Sequence, residues 1–172
     1  MEAYYALRAE LGRSLVPPMP EEPGMSTMQR FAEYAAAFEE AIRSDNWSGV
    51  APFFAEDACY TTELPPPLGG RFEGRVAILA YFKHILDAFD RRFATRESLP
   101  GGGSHEDGNT LSFHGRVRWT APGRPDLIFA AEEQVTFRGE VIVDLVDRYD
   151  AESVATIAAY LREHGAALGI GW

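Results

Sequence analysis

The stretch VIVDLVDRYD, residues 141–150, sets three aspartates among apolar residues. With a strand's period of two, Val141, Val143, Leu145, Asp147 and Tyr149 share one face, and Ile142, Asp144, Val146, Arg148 and Asp150 the other. Asp147 thus falls on the more apolar face, where an ionised carboxylate is costly. One segment earlier, Phe129, Ala131, Glu133, Val135 and Phe137 share a face on which Glu133 alone is polar. Across residues 110–121 the polar side carries Ser112, His114, Arg116 and Arg118, and the apolar side Leu111, Phe113, Val117 and Trp119. A carboxylate on an apolar wall is pushed toward a raised pKa, and one beside an arginine is pushed down. Histidine titrates near neutral pH without help. Asp147, Glu133, His114, Arg116 and a strand tyrosine, Tyr60, are therefore the side chains from which general acid–base catalysis could be built. Plainer roles compete. Arg116 with Glu133 or Asp147 makes a buried ion pair, and His114 a satisfied structural histidine. Asp144 and Arg148 suit a solvated face, and Asp150 an N-cap.

The elements that must position these groups follow from periodicity. MEAYYALRAELGRSL at the N-terminus has an amphipathic stripe through Leu7, Leu11 and Leu15. VPPMPEEPG then breaks regular structure, so residues 1–24 form an arm and residues 25–172 the domain. Ser26 and Gln29 have capping-box spacing. Phe31, Tyr34, Ala35, Phe38, Ala41 and Ile42 continue as a helical stripe. Asp45 or Asn46 caps a second short helix, ACYTT (58–62) reads as a strand, and a third helix spans about 74–90. Residues 91–99, 110–121, 127–138 and 140–149 read as strands, separated by GGGSHEDGN, in which GGG at 101–103 reads as a flexible connection, by APGRP and by a tight turn around Gly139. A last helix runs from Asp150 to Gly165. Helices followed by a run of antiparallel strands indicate an α+β domain.

Composition narrows the function. A 172-residue chain with 46% hydrophobic residues is long enough for one sizeable core. The net charge of −10 opposes nucleic acids and anionic membrane surfaces. The single cysteine, Cys59, lies in an apolar strand and reads as a core filler. No segment has the length and apolarity of a membrane span, and the N-terminus lacks a signal pattern, so a cytoplasmic protein is expected. There is no P-loop, GxGxxG before a helix or GxSxG, and the four histidines lack metal-ligand spacing. A site without metal or cofactor is the economical reading.

FAEDACYTTELPPPLGG between helices, together with VDRYD before the last helix, resembles the nuclear transport factor 2-like superfamily. The similarity covers roughly residues 26–165 and points to its SnoaL-like polyketide cyclases and limonene epoxide hydrolase. It implies a curved, mostly antiparallel sheet with three helices forming a conical barrel and pocket, plus a C-terminal helix. By the same resemblance, Tyr60 matches a water-holding tyrosine, Thr62 the place of an assisting asparagine, and Asp147 the last-strand aspartate. The hydrolase's arginine-x-aspartate pair falls on His114 and Arg116, a departure that removes one carboxylate. The resemblance also turns the face of Glu133 toward the pocket, with Ile85, Phe89, Phe129 and Ala131 as apolar wall.

The implied activity is cofactor-independent acid–base chemistry on a small hydrophobic molecule, whether cyclisation, isomerisation, dehydration or epoxide opening. A binding protein or a dimeric interaction module of the same fold is the alternative. In the enzyme reading Asp147 is the acid or base, His114 its proton partner, Arg116 the stabiliser of negative charge, and Tyr60 the positioning group. One conflict stands. The resemblance sends the polar side of 110–121 inward, whereas apolar patterning sends it outward. Both hold if the apolar side is buried in a homodimer through the sheet, with Trp119 near its centre.

Overall fold

The computed structural model describes residues 25–99 and 102–171. The expected arm over residues 1–24 lies outside them. Helix α1 (Thr27–Ser44) begins at the capping box: the Gln29 amide donates to Ser26 Oγ at 3.2 Å, and the Ser26 amide to Gln29 Oε1 at 2.9 Å. Such caps contribute about 1 kcal/mol. Asn46 accepts from the Ser48 amide and starts the first of two short turns that lead into β1 (Phe54–Thr62). Then come β2 (Gly70–Glu73), α2 (Arg75–Ala88), β3 (Thr95–Leu99), β4 (Ser104–Asp107), β5 (Thr110–Thr120), β6 (Leu127–Arg138) and β7 (Val141–Arg148). Helix α3 (Ala151–Tyr160) is capped by Asp150, whose Oδ1 accepts from the Ser153 amide at 2.7 Å. A wide π turn, Leu161–Gly165, continues it into the short α4 (Ala166–Leu168). Among the described residues no helix is long and apolar enough to cross a membrane.

The architecture is α+β, with four helices against one open, curved, mixed sheet of seven strands. Strand order is β2-β1-β7-β6-β5-β3, with β4 also paired to β5. Strand β1 runs parallel to β7, and the other described pairings are antiparallel. Helix α2 packs on β1 and α3 on β6, where Ser153 Oγ accepts from the Ala130 amide beyond the end of β7. Two apolar clusters anchor the helices. One is built on Phe54, Ile78, Leu111 and Ile142, the other on Phe89, Leu127, Ile157 and Ile170.

The structure departs from the sequence expectations locally. SHED pairs with β5 as β4, so this part of the segment expected between strands belongs to a hairpin turning at Gly108–Asn109. Gly165 is helical at φ −57°; Gly169, at φ +71°, ends the last helix, because only there does the chain need the left-handed region. A bulge between the pairs Thr136↔Asp144 and Phe137↔Ile142 shifts β7 by one residue. Ile142, not Val143, is consequently the fully buried residue at that level.

The larger correction concerns β5. Phe113, Val117 and Trp119 face the concave interior, and His114 and Arg116 face outward. Side chains alternate along a strand, so with Phe113, Val117 and Trp119 inward the residues matched to the superfamily pair must point out. Apolar patterning gives the correct face. The His114 side chain is 65% exposed, 3.8 Å from Glu132. Trp119 is buried inside the domain and donates Nε1–H to Asp90 at 3.0 Å, so it cannot centre an outer interface. The reason for a homodimer through that face goes with it: the outer surface of β5 to β7 is polar, with Arg148 beside Glu132, Glu63 and Gln134.

Candidate active site

Concave sheet and helices enclose a cavity of about 410 Å³. Tyr60, Thr62, Ile85, Phe89, Phe129, Ala131, Glu133 and Asp147, eight of the ten residues expected from sequence, line it together. His114 and Arg116 do not.

Three strands set the polar centre. Glu133 on β6 and Asp147 on β7 are directly opposed in the antiparallel register. Opposed residues have Cβ atoms about 5 Å apart. On the other side of β7, Thr62 of β1 is level with Asp147, which brings Tyr60 within reach. Tyr60 donates its hydroxyl to Asp147 Oδ2 at 2.6 Å, a length typical of a charge-assisted bond. Among the described residues neither carboxylate forms an ion pair, and Glu133 has no hydrogen-bond partner. Asp147 meets open space through this cavity; Glu133 does so here and in an adjoining hollow of about 290 Å³ whose lining includes His114 and Arg116.

This environment favours protons. Burial pushes Asp147 up to about 6, with the Tyr60 hydrogen bond pulling the other way. Burial, then the charge of Asp147, pushes Glu133 well above the usual carboxylate range, and Arg96 only partly opposes it. Burial also raises Tyr60, Tyr34 and Tyr149, and the negative charge at Asp147 adds to each, so these phenols remain hydrogen-bond donors. Two carboxylates this close resist ionising together. The arrangement favours one proton shared by the two acids, and the Tyr60 hydrogen bond favours charge on Asp147.

The rest of the wall is apolar and rigid. Trp119 stacks on Phe129 with centroids 4.6 Å apart, and Phe89 meets Trp119 edge-on at 5.8 Å. Around Trp119 lies a second polar group that sequence reasoning misses. Arg96 of β3 lies 2.8 Å from Glu39 of α1 and 3.6 Å from Asp90, the residue that also accepts from Trp119. Burial raises Asp90, while Trp119 and Arg96 hold it down. TRESL has no apolar alternation to show that Arg96 and Ser98 turn inward, and Asp90 follows the end of α2. Periodicity places Tyr34 in the core stripe of α1 and gives no sign that it also lines the cavity.

Comparison with known proteins agrees with this architecture. The profile of the SnoaL-like domain family matches residues 34–152. Comparison with curated proteins finds no match. Among solved structures, an NTF2-like protein of unknown function from Burkholderia pseudomallei is 22% identical, with 80% of this chain and 97% of that one covered at a TM-score of 0.56. A hypothetical protein with a ketosteroid isomerase-like fold from Catenulispora acidiphila, in complex with trimethylamine, is 20% identical over 71% and 88% of the two chains, TM-score 0.52. TerC, co-crystallised with polyporic acid, is 16% identical over 73% and 95%, TM-score 0.54. At these identities the solved structures speak for a shared fold.

Proposed function

For this chain, which belongs to the SnoaL-like domain family, we propose an acid–base enzyme that moves protons on a small, largely apolar molecule. The observation that carries the reading is Glu133 opposite Asp147 on the wall of an aromatic cavity, with no ion pair to either among the described residues. Ionised Asp147 removes a proton from a carbon next to a carbonyl. Glu133, still protonated, donates to the carbonyl oxygen as negative charge develops there. Return of the proton from Asp147 to the far carbon of an adjoining double bond, with the enol proton going back to Glu133, completes an isomerisation. Attack of the enol on a second carbonyl in the same molecule, with Asp147 giving its proton to the new alkoxide and Glu133 recovering the enol proton, completes a cyclisation. Tyr60 orients Asp147 through its hydroxyl, and burial of the site keeps water from levelling the two acidities. The ligands of TerC and of the Catenulispora protein are compatible with a small-molecule site here. Glu133 takes the proton-partner role that the sequence assigns to His114.

The test is to incubate wild type and Asp147→Asn with small-molecule extract in D2O and follow both by mass spectrometry. The expected result is a compound converted, with deuterium incorporated, by wild type alone. A compound retained by both proteins and altered by neither would make this a binding protein.

A further inference from the structure

The cavity has two polar ends. Glu133 and Asp147 form one. At the other, Asp90 accepts from Trp119 Nε1 at 3.0 Å and lies 3.6 Å from Arg96. On the β5 ladder the level of Glu133 is Phe113 and that of Arg96 is Trp119, six residues on. The charge of Arg96 still reaches Glu133 across the cavity. Proton transfer at the dyad has no use for Asp90.

The charges on this wall are unequal. Glu39, Asp90, Glu133 and Asp147 all line the cavity, and Arg96 is the one cation lining it among the described residues. Arg96 is already engaged, 2.8 Å from Glu39 and close to Asp90. At the other end Glu133 lines the cavity without a hydrogen-bond partner among the described residues, so its carboxyl is open to a polar group of a ligand. A ligand carboxylate would meet no free cation among the described residues and at least two anionic groups. A hydroxyl, amide or ammonium would find acceptors at both ends.

We propose that the pocket selects elongated apolar molecules that are neutral or cationic and bear a hydrogen-bond donor, that Asp90 accepts from this donor at the end remote from the reacting carbon, and that carboxylate-bearing molecules are rejected. This rests on the cavity being the substrate site, and makes Asp90 a binding residue outside the chemical step.

The test uses three probes of one shape, 2-naphthylmethanol, 2-naphthylmethylamine and 2-naphthoate, titrated calorimetrically into the protein at mildly alkaline pH. The alcohol and amine should bind, and the carboxylate should bind roughly tenfold or more weakly. Asp90→Asn keeps an acceptor for Trp119, so it should preserve the fold, lower amine affinity severalfold and leave the alcohol nearly unchanged. Equal binding of carboxylate and alcohol, no binding of the alcohol and amine, or an unaltered amine affinity in Asp90→Asn would overturn the proposal. Affinity is read here without turnover. Tight carboxylate binding alongside conversion lost in Asp147→Asn would therefore refute the selectivity and leave the acid–base reading standing.

Discussion

The two faces of the β6–β7 ladder treat charge in opposite ways. On the outer face Arg148 lies between Glu132 and Glu63 at 3.6 and 3.5 Å, half in water. On the inner face, one residue along, Glu133 and Asp147 oppose each other with no cation paired to either among the described residues. The outer charges cost little to keep and contribute little, since exposed ion pairs are worth about 0–1 kcal/mol. The inner ones are kept against the interests of folding. That difference is the ground on which we propose the inner pair as the working one, since strongly shifted buried acids cluster where proton affinities are used.

Breaking the inner pair should have the largest effect. Asp147→Asn or Glu133→Gln should lower kcat by about 10²–10⁴-fold while substrate affinity is largely retained, measured on whichever compound the wild type converts. A uniform loss of affinity with unchanged kcat would instead mark the dyad as a binding device.

Asp147→Asn should also stabilise the protein. The folded state holds the Asp147 proton more tightly than the unfolded chain, with a pKa of about 6 against 3.8. The penalty is therefore absent at pH below that lower value, sets in between the two, and persists at higher pH. The asparagine side chain removes it and still accepts from Tyr60, so urea unfolding at neutral pH should show a gain on the order of 1–3 kcal/mol. The gain should vanish when the pH is lowered past the unfolded value. A loss of stability at neutral pH would mean that Asp147 is a structural partner after all.

The pH profile sharpens the comparison. With Asp147 as base and Glu133 as acid, kcat should rise with pH through about 6 and fall on an alkaline limb set by the strongly raised Glu133. The two limbs belong to the pair as a whole. Glu133→Gln should remove the alkaline limb from any residual activity.

Smallest of all should be changes on the outer face. Arg148→Ala should cost about 0–1 kcal/mol in denaturant unfolding. His114→Ala and Arg116→Ala should leave kcat/KM unchanged; a large loss in either would return the outer face to the mechanism.

Most of the frame is legible in the sequence because it rests on local signals. The Ser26–Gln29 capping box, the Asp150 cap and the alternation that isolates Glu133 and Asp147 are statements about neighbours in sequence, and each holds in three dimensions. What is not legible depends on register between strands. That Glu133 lies opposite Asp147 is fixed by the turn at Gly139, which the sequence signals, together with the bulge in β7, which it does not. The placement of His114 and Arg116 fails where a family match is allowed to overrule the strand's own apolar face. Arg96 and Asp90 stay hidden because their strand and turn have no hydrophobic period to set a direction.

Everything proposed for the site depends on Glu133 and Asp147 sharing a single charge. The direct measurement is a carboxyl carbon-13 NMR titration of the wild type, with Asp147→Asn and Glu133→Gln used to assign the two resonances. One carboxyl should titrate near 6 and the other should still be protonated well above neutral pH. Two carboxyls that both titrate near 4, as exposed acids do, would contradict the shared charge.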